Sequence, residues 1–207
     1  MKEYQFDAAG KTVRFSADVT GDTAEFFEQI IREQEQAYGI ISDKKLIQIL
    51  ALFFRISKEG AGYRVLAADY AGDPEKNAVS DLTLSLELLG QQMYLLQKTG
   101  LEPQDAVSLL DTVLIRRTAL MTQDVYLMKQ EPKEKTDSGL YLGALGDRGG
   151  SQNPEDYTAM QLFRLLPTHP AVLSAVCLPV GSIAVIRNNA VEGVCDASGR
   201  EVFRTEG

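Results

Sequence analysis

Apolar and polar residues alternate over Lys2 to Asp7 and again over Thr12 to Asp18, with Tyr4, Phe6, Val13 and Phe15 at the inward positions. Ala8-Ala9-Gly10-Lys11 supplies a turn between them, so the chain is expected to open with a hairpin. The period then lengthens. Asp22 followed three residues on by Glu25 has the form of a capping box, and Phe26, Phe27, Ile30 and Ile31 recur at helical spacing up to Tyr38-Gly39. Ser42 is placed to cap a second helix that would bury Leu46, Ile49, Leu50, Phe53 and Phe54. Gly60-Ala61-Gly62 breaks it, and Tyr63 to Tyr70 reads as a strand, although Leu66 to Ala68 fits a helix equally well. After a turn at Gly72-Asp73-Pro74, Asp81 caps a long helix with Leu82, Leu86, Leu89, Met93 and Leu96 on one face, closed by Gly100. Pro103 suits the first turn of a short helix to about Leu110.

From Thr112 the pattern changes to β. Strands are expected at Thr112 to Arg117, Asp124 to Gln130 and Gly139 to Leu145, the last two joined by a solvated loop through Pro132-Lys-Glu-Lys-Thr-Asp-Ser-Gly139. A Gly-rich surface loop, Gly146 to Pro154, precedes a helix carrying Tyr157, Met160, Leu162, Phe163 and Leu166, which Pro167 stops. Pro170 starts another through Cys177. Val180 to Arg187 is then a strand, and Val191 to Cys195 pairs with Glu201 to Arg204 across a turn at Ala197 to Arg200. Helices and strands mix without βαβ alternation, which predicts an α+β fold: a mixed, mainly antiparallel sheet with packed helices. Two lobes, residues 1–110 and 111–207, are expected to meet near 108–112, where nothing resembles a flexible spacer.

Composition narrows the function more than the fold. With 44% hydrophobic and 24% charged residues, the chain belongs with globular proteins, not disordered or fibrous ones. The longest apolar run, Leu46 to Phe54, is interrupted by Gln48 and falls short of the roughly 18–20 residues of a membrane span. Met1 to Gln5 has no apolar signal segment, so a cytoplasmic, membrane-free protein is expected. Cys177 and Cys195 lie outside any ligand spacing and read as reduced thiols. The net charge is −8, and residues 1–110 hold most of it, with 17 acidic against 11 basic groups. Such a balance disfavours nucleic acid. It serves either to steer a basic protein partner or simply to maintain solubility.

Candidate chemistry is sparse. His169, the single histidine, sits in Pro-Thr-His-Pro between two expected helices, where it would cap or pack against a helix end. One histidine and two isolated cysteines make no zinc set, and there is no Gly-x-Ser-x-Gly elbow or phosphate-binding loop. Asp137 and Asp147 bracket one strand and are the remaining candidates for an acid/base or metal pair, with turn formation as the alternative role. Arg116-Arg117 on a strand would place one side chain on each face, one solvated and one salt-bridged. These patterns favour a binding protein without cofactor or metal over a hydrolase or transferase.

Several pieces occur in a telling order: Leu114-Ile-Arg-Arg117, Val125-Tyr-Leu-Met-Lys-Gln-Glu-Pro132, Asp137-Ser-Gly139, Gly146-Asp147, Tyr157 to Pro170 and Leu178-Pro-Val-Gly-Ser182. Over about Val113 to Arg187 the chain resembles a family of bacterial immunity proteins from polymorphic-toxin systems, the thirty-third in that series and formerly a domain of unknown function. The family's tryptophan after Asp-Ser-Gly is Leu140 here, a position at which an aromatic would be a candidate interface anchor. The resemblance implies a stoichiometric inhibitor that binds a toxin domain, with no cofactor. Loops 131–138 and 146–156 would then contribute the partner surface, with Glu131, Asp137, Ser138, Asp147 and Arg148 as the expected contacts. The alternative is a cytoplasmic interaction scaffold that retains the domain without a toxin. The oligomeric state is left open.

Overall fold

A computed structural model describes residues 1–103, 107–134, 136–147 and 151–205. The chain forms two compact units, residues 1–90 and 91–207, and the division falls inside a helix ahead of residues 108–112. The fold is α+β, and strand pairing is mainly antiparallel in both sheets.

In the first unit, β1 (Lys2–Ala8) and β2 (Lys11–Ala17) form the expected hairpin, with Ala9 and Gly10 both at positive φ as a two-residue primed turn requires. Helix α1 (Gly21–Tyr38) follows, and its cap is Thr20, whose hydroxyl accepts from the Thr23 amide, instead of Asp22. The helix expected after Ser42 is absent. In its place β3 (Lys45–Ile49) and β4 (Leu52–Glu59) make a hairpin in which Ile49 pairs with Leu52 and Leu50 takes a positive φ. Every second residue here, Ile47, Ile49, Leu52, Phe54 and Ile56, is buried while Leu46 is exposed, so period-two burial of β-branched and aromatic residues overrides the helical spacing. β5 (Gly62–Ala68) lies parallel to β2 and antiparallel to β4, giving the order β1-β2-β5-β4-β3, with the short β6 (Ala78–Val79) also paired to β5. Phe27 of α1 fills the core between Phe15 and Phe54, with ring centroids 5.2 and 5.1 Å away. Glu35, also buried, accepts from Lys11 Nζ at 2.7 Å and from the Ile41 amide at 2.6 Å.

Tyr70 makes the stability of this unit sensitive to alkali. Its hydroxyl accepts from the Phe53 amide at 2.8 Å, and burial pushes the phenol up to about 12. An unfolded tyrosine titrates near 10, so in the window from about pH 10 to pH 12 the unfolded chain loses the proton first. The contribution is complete below pH 10 and disappears as pH rises through the folded value, about 2–3 kcal/mol in all. Urea midpoints across this window should fall less steeply for Tyr70→Phe than for the wild type; parallel slopes would exclude Tyr70 as the source.

Helix α2 (Thr83–Thr99) runs across the division between the units, with the Asp81 carboxylate accepting from the Thr83 amide and Gly100 left-handed at its end. In the second unit, β7 (Thr112–Arg116), β8 (Val125–Lys129), β9 (Asp137–Ala144), β10 (Tyr157–Gln161), β11 (Ile183–Arg187), β12 (Ala190–Cys195) and β13 (Glu201–Arg204) form a sheet ordered β10-β7-β9-β8-β11-β12-β13. Among the described residues of this sheet, only β7 and β9 pair in parallel. The helix expected from Tyr157 is instead the edge strand β10, and the one from Pro170 is a 3-10 segment, Pro170–Ser174. Residues 157–161 pair with β7, and Leu162 and Phe163 donate to Asp111 and Leu109, so tertiary pairing decides their conformation. Of the short helix expected from Pro103 to about Leu110, residues 104–106 lie outside the described residues; Pro103 and Val107 to Leu110 are not helical.

Candidate functional site

One face of the second sheet is core and the other is open. Val113, Ile115, Val125, Leu127, Leu140, Leu142, Ala184 and Ile186 alternate inward and are buried. Among the residues between them, Leu114 is 46% exposed and Tyr126, Met128, Tyr141 and Tyr157 are half-buried. These residues line a groove of about 650 Å³ together with Glu131, Lys133, Glu134 and Thr136. That volume is in the range of ordinary ligand sites.

The groove exists because of where β9 carries glycine. Gly143 leaves room for the Tyr126 ring, whose atoms would lie 2.4–2.6 Å from a Cβ there. Tyr126 and Tyr141 rings are 5.8 Å apart and Tyr141 and Tyr157 rings 6.3 Å, a row reaching from β8 across to β10. Gly139 is left-handed, at φ +67, and its missing Cβ lets the Gln130–Pro132 backbone close over the strand end. Burial on the groove floor pushes the Tyr141 phenol well up from its ordinary value, and hydrogen bonding with Tyr126 adds to the shift, so Tyr141 is neutral at physiological pH.

The Asp-Ser-Gly segment shapes backbone. Asp137 accepts from the Gly139 amide at 2.8 Å and the Lys133 amide at 3.0 Å, folding the loop that bears Glu131, which is exposed. Ser138 is 1% exposed; its hydroxyl donates to the Thr112 carbonyl and accepts from the Leu140 amide, tying β9 to β7. Buried Lys129 donates to the Ser138 carbonyl, and burial raises the Asp111 carboxyl against the opposing hydrogen bond from the Ser108 amide and the charge of Lys129. At the far end of β9, Asp147 pairs with Arg116 at 3.1 Å and accepts from the Thr118 hydroxyl at 2.7 Å. Arg117 instead donates to the Glu155 carbonyl from an exposed position, so the two arginines divide as expected. Arg148 lies outside the described residues.

Asp137 opens an eight-residue strand and Asp147 lies just past its other end, so roughly 20 Å separates them. Proton transfer to one shared reacting atom needs hydrogen-bond reach from each. They form no acid/base pair. His169 is buried, with Nε2 2.9 Å from the Thr122 carbonyl, which it can meet only as a donor, and Nδ1 2.9 Å from the Thr168 hydroxyl. It packs beside the Pro170–Ser174 segment, in keeping with the structural role read from its context. Among the described residues no group of three His, Cys, Asp or Glu is arranged to hold a metal, and no helix is long and apolar enough to cross a membrane.

The Imm33-like domain family model matches residues 91–197, more than half of the chain. The chain belongs to the Imm33-like domain family. No curated protein and no solved structure matches it. The Imm33-like match starts at Gln91, where the second compact unit also starts, and contains the whole tyrosine-floored groove. Leu140, where the family resemblance led us to look for a tryptophan anchor, is 2% exposed. The half-buried aromatics that line the groove of this Imm33-like domain are Tyr126, Tyr141 and Tyr157, none of them singled out as contacts from sequence. Tyr126 lies between buried Val125 and Leu127 and Tyr141 between buried Leu140 and Leu142, and that alternation was the available signal.

Proposed function

We propose that the protein is a non-enzymatic immunity protein that neutralises a cognate bacterial toxin by stoichiometric binding, and that the groove floored by Tyr126, Tyr141 and Tyr157 is its partner surface. The observation that carries this reading is the Imm33-like match over the unit that holds the groove. Half-buried tyrosines beside an exposed Leu114 are the composition of an interface centre, with Glu131 and Asp137 on its polar rim. Ser138 acts by fixing the loop, and Asp147 by holding Arg116 and Thr118. The net charge of −8 favours a basic partner during encounter. Residues 1–90 are a separate unit outside the family match, and the cytoplasm of the producing cell is where such a protein would act.

The test is growth. Co-expressed with the toxin encoded beside its gene, the chain should rescue the host and purify with that toxin in a one-to-one complex, and Tyr141→Leu should weaken the complex at least tenfold, the loss of a typical hot spot. Toxin killing unchanged by the chain overturns the immunity reading. A stable complex without rescue assigns the scaffold role instead.

A further inference from the structure

Resting on the groove as the partner surface, we infer that its occupant is an arginine side chain presented by an exposed segment of the partner, laid along the tyrosine row with its guanidinium toward Glu131 and Glu134. The charge of the lining carries this. Between Glu131 and Asp137 the loop carries three carboxylates against two lysines, Lys133 and Lys135, the second outside the described residues, while Arg116 at the far end is neutralised by Asp147. A cleft walled by low-dielectric side chains focuses that imbalance, so the field inside is negative and selects a cation.

Aromatic lining narrows the cation. A guanidinium is planar, stacks on a phenol ring and forks onto a carboxylate, whereas an ammonium is a compact, strongly hydrated point charge that gains less from a ring face. Leu114 and Met128 add apolar surface along which the methylenes of a long side chain can lie. Tyr141 remains protonated, so its ring contributes a face and a neutral hydroxyl without a charge of its own. Tyr157 is fixed at the edge of the row through its hydroxyl, which donates to the Ser151 carbonyl and accepts from the Ser151 amide, both at 2.9 Å.

The probes are three blocked tripeptides, acetyl-Gly-Arg-Gly-amide, its lysine analogue and its citrulline analogue, the last matching arginine in shape without the charge. They are titrated into the isotope-labelled full chain and followed at the amides of Gly139, Tyr141 and Gly143. The arginine peptide should bind in the roughly millimolar range expected of one side chain, with shifts confined to the groove and weakening as salt is raised. The citrulline peptide should bind at least about fivefold more weakly, and the lysine peptide should fall between them. Tyr141→Leu and Glu131→Gln/Glu134→Gln should each reduce arginine binding about threefold to fivefold, Tyr141→Phe should restore it, and unchanged amide shifts elsewhere report that the fold is kept. Equal binding of arginine and citrulline, or shifts away from the groove, overturns the arginine assignment while leaving the groove reading to the growth test. Toxin neutralisation unaffected by Tyr141→Leu overturns the groove reading itself.

Discussion

Gly139→Ala is expected to lower the unfolding free energy by about 2–5 kcal/mol, the sum of a left-handed backbone penalty and an overpacking cost. The glycine sits at φ +67, and a Cβ there would lie 2.2 Å from the Gln130 carbonyl oxygen and 3.1 Å from the Pro132 nitrogen. Both neighbours are backbone, and Gln130 is held in place because its amide donates to the Gly139 carbonyl at 2.7 Å. Neither can swing aside as a side-chain tip would. Relief requires the 130–137 loop to lift, which moves Glu131 off the groove and breaks the bonds from Lys133 and Gly139 to Asp137. Chemical denaturation of the variant should show the loss, and toxin binding should fall with it. Gly143→Ala is the contrast: there the Cβ meets the far end of the Tyr126 side chain, so the ring can rotate away at small cost in stability. Equal stability of Gly139→Ala and wild type would mean that the loop is not closed on the glycine.

Phe27→Ala should cost about 3–5 kcal/mol, as for other buried phenylalanines truncated to alanine. Its ring is wholly inaccessible, edge-on to Phe15 of β2 and tilted against Phe54 of β4, so truncation empties the junction of helix and sheet. Collapse into the space is limited because Phe15 and Phe54 are themselves held in paired strands. The loss should appear as a lower urea midpoint, and amides of α1 should lose hydrogen-exchange protection while those of β8 and β9 keep theirs. A loss under about 1 kcal/mol would show that the three rings repack.

Where local bonding decides conformation, the sequence was readable. The opening hairpin, α1 apart from its cap, the long α2 and the β8 to β9 pair all follow from turn residues, helix ends and period. The same holds for the Asp137-Ser-Gly139 segment, whose side-chain to backbone bonds span only a few residues, and for the division of labour between Arg116 and Arg117. Misreadings occurred where apolar spacing was compatible with two periods. Leu46 to Phe54 satisfies a helical stripe and also a two-residue alternation about a tight turn, and pairing with β5 selects the second. Tyr157 to Gln161 takes its strand form from the edge of β7, a partner more than forty positions away in the chain.

The candidate groove shows the same limit. Sequence alone determined the α+β class, the family, the acidic balance and the glycines that a loop at Gly139 demands. It also pointed to binding over chemistry, since the residue types for a reaction centre are too few. Tertiary structure alone decided that Tyr126, Tyr141 and Tyr157 stand in one row and that Leu140 lies in the core. It also set Asp137 and Asp147 at opposite ends of one strand. The reason is physical: a strand's alternation specifies two faces, but which faces of β8, β9 and β10 share a surface depends on sheet order and register, and these are set by long-range pairing that no local pattern encodes.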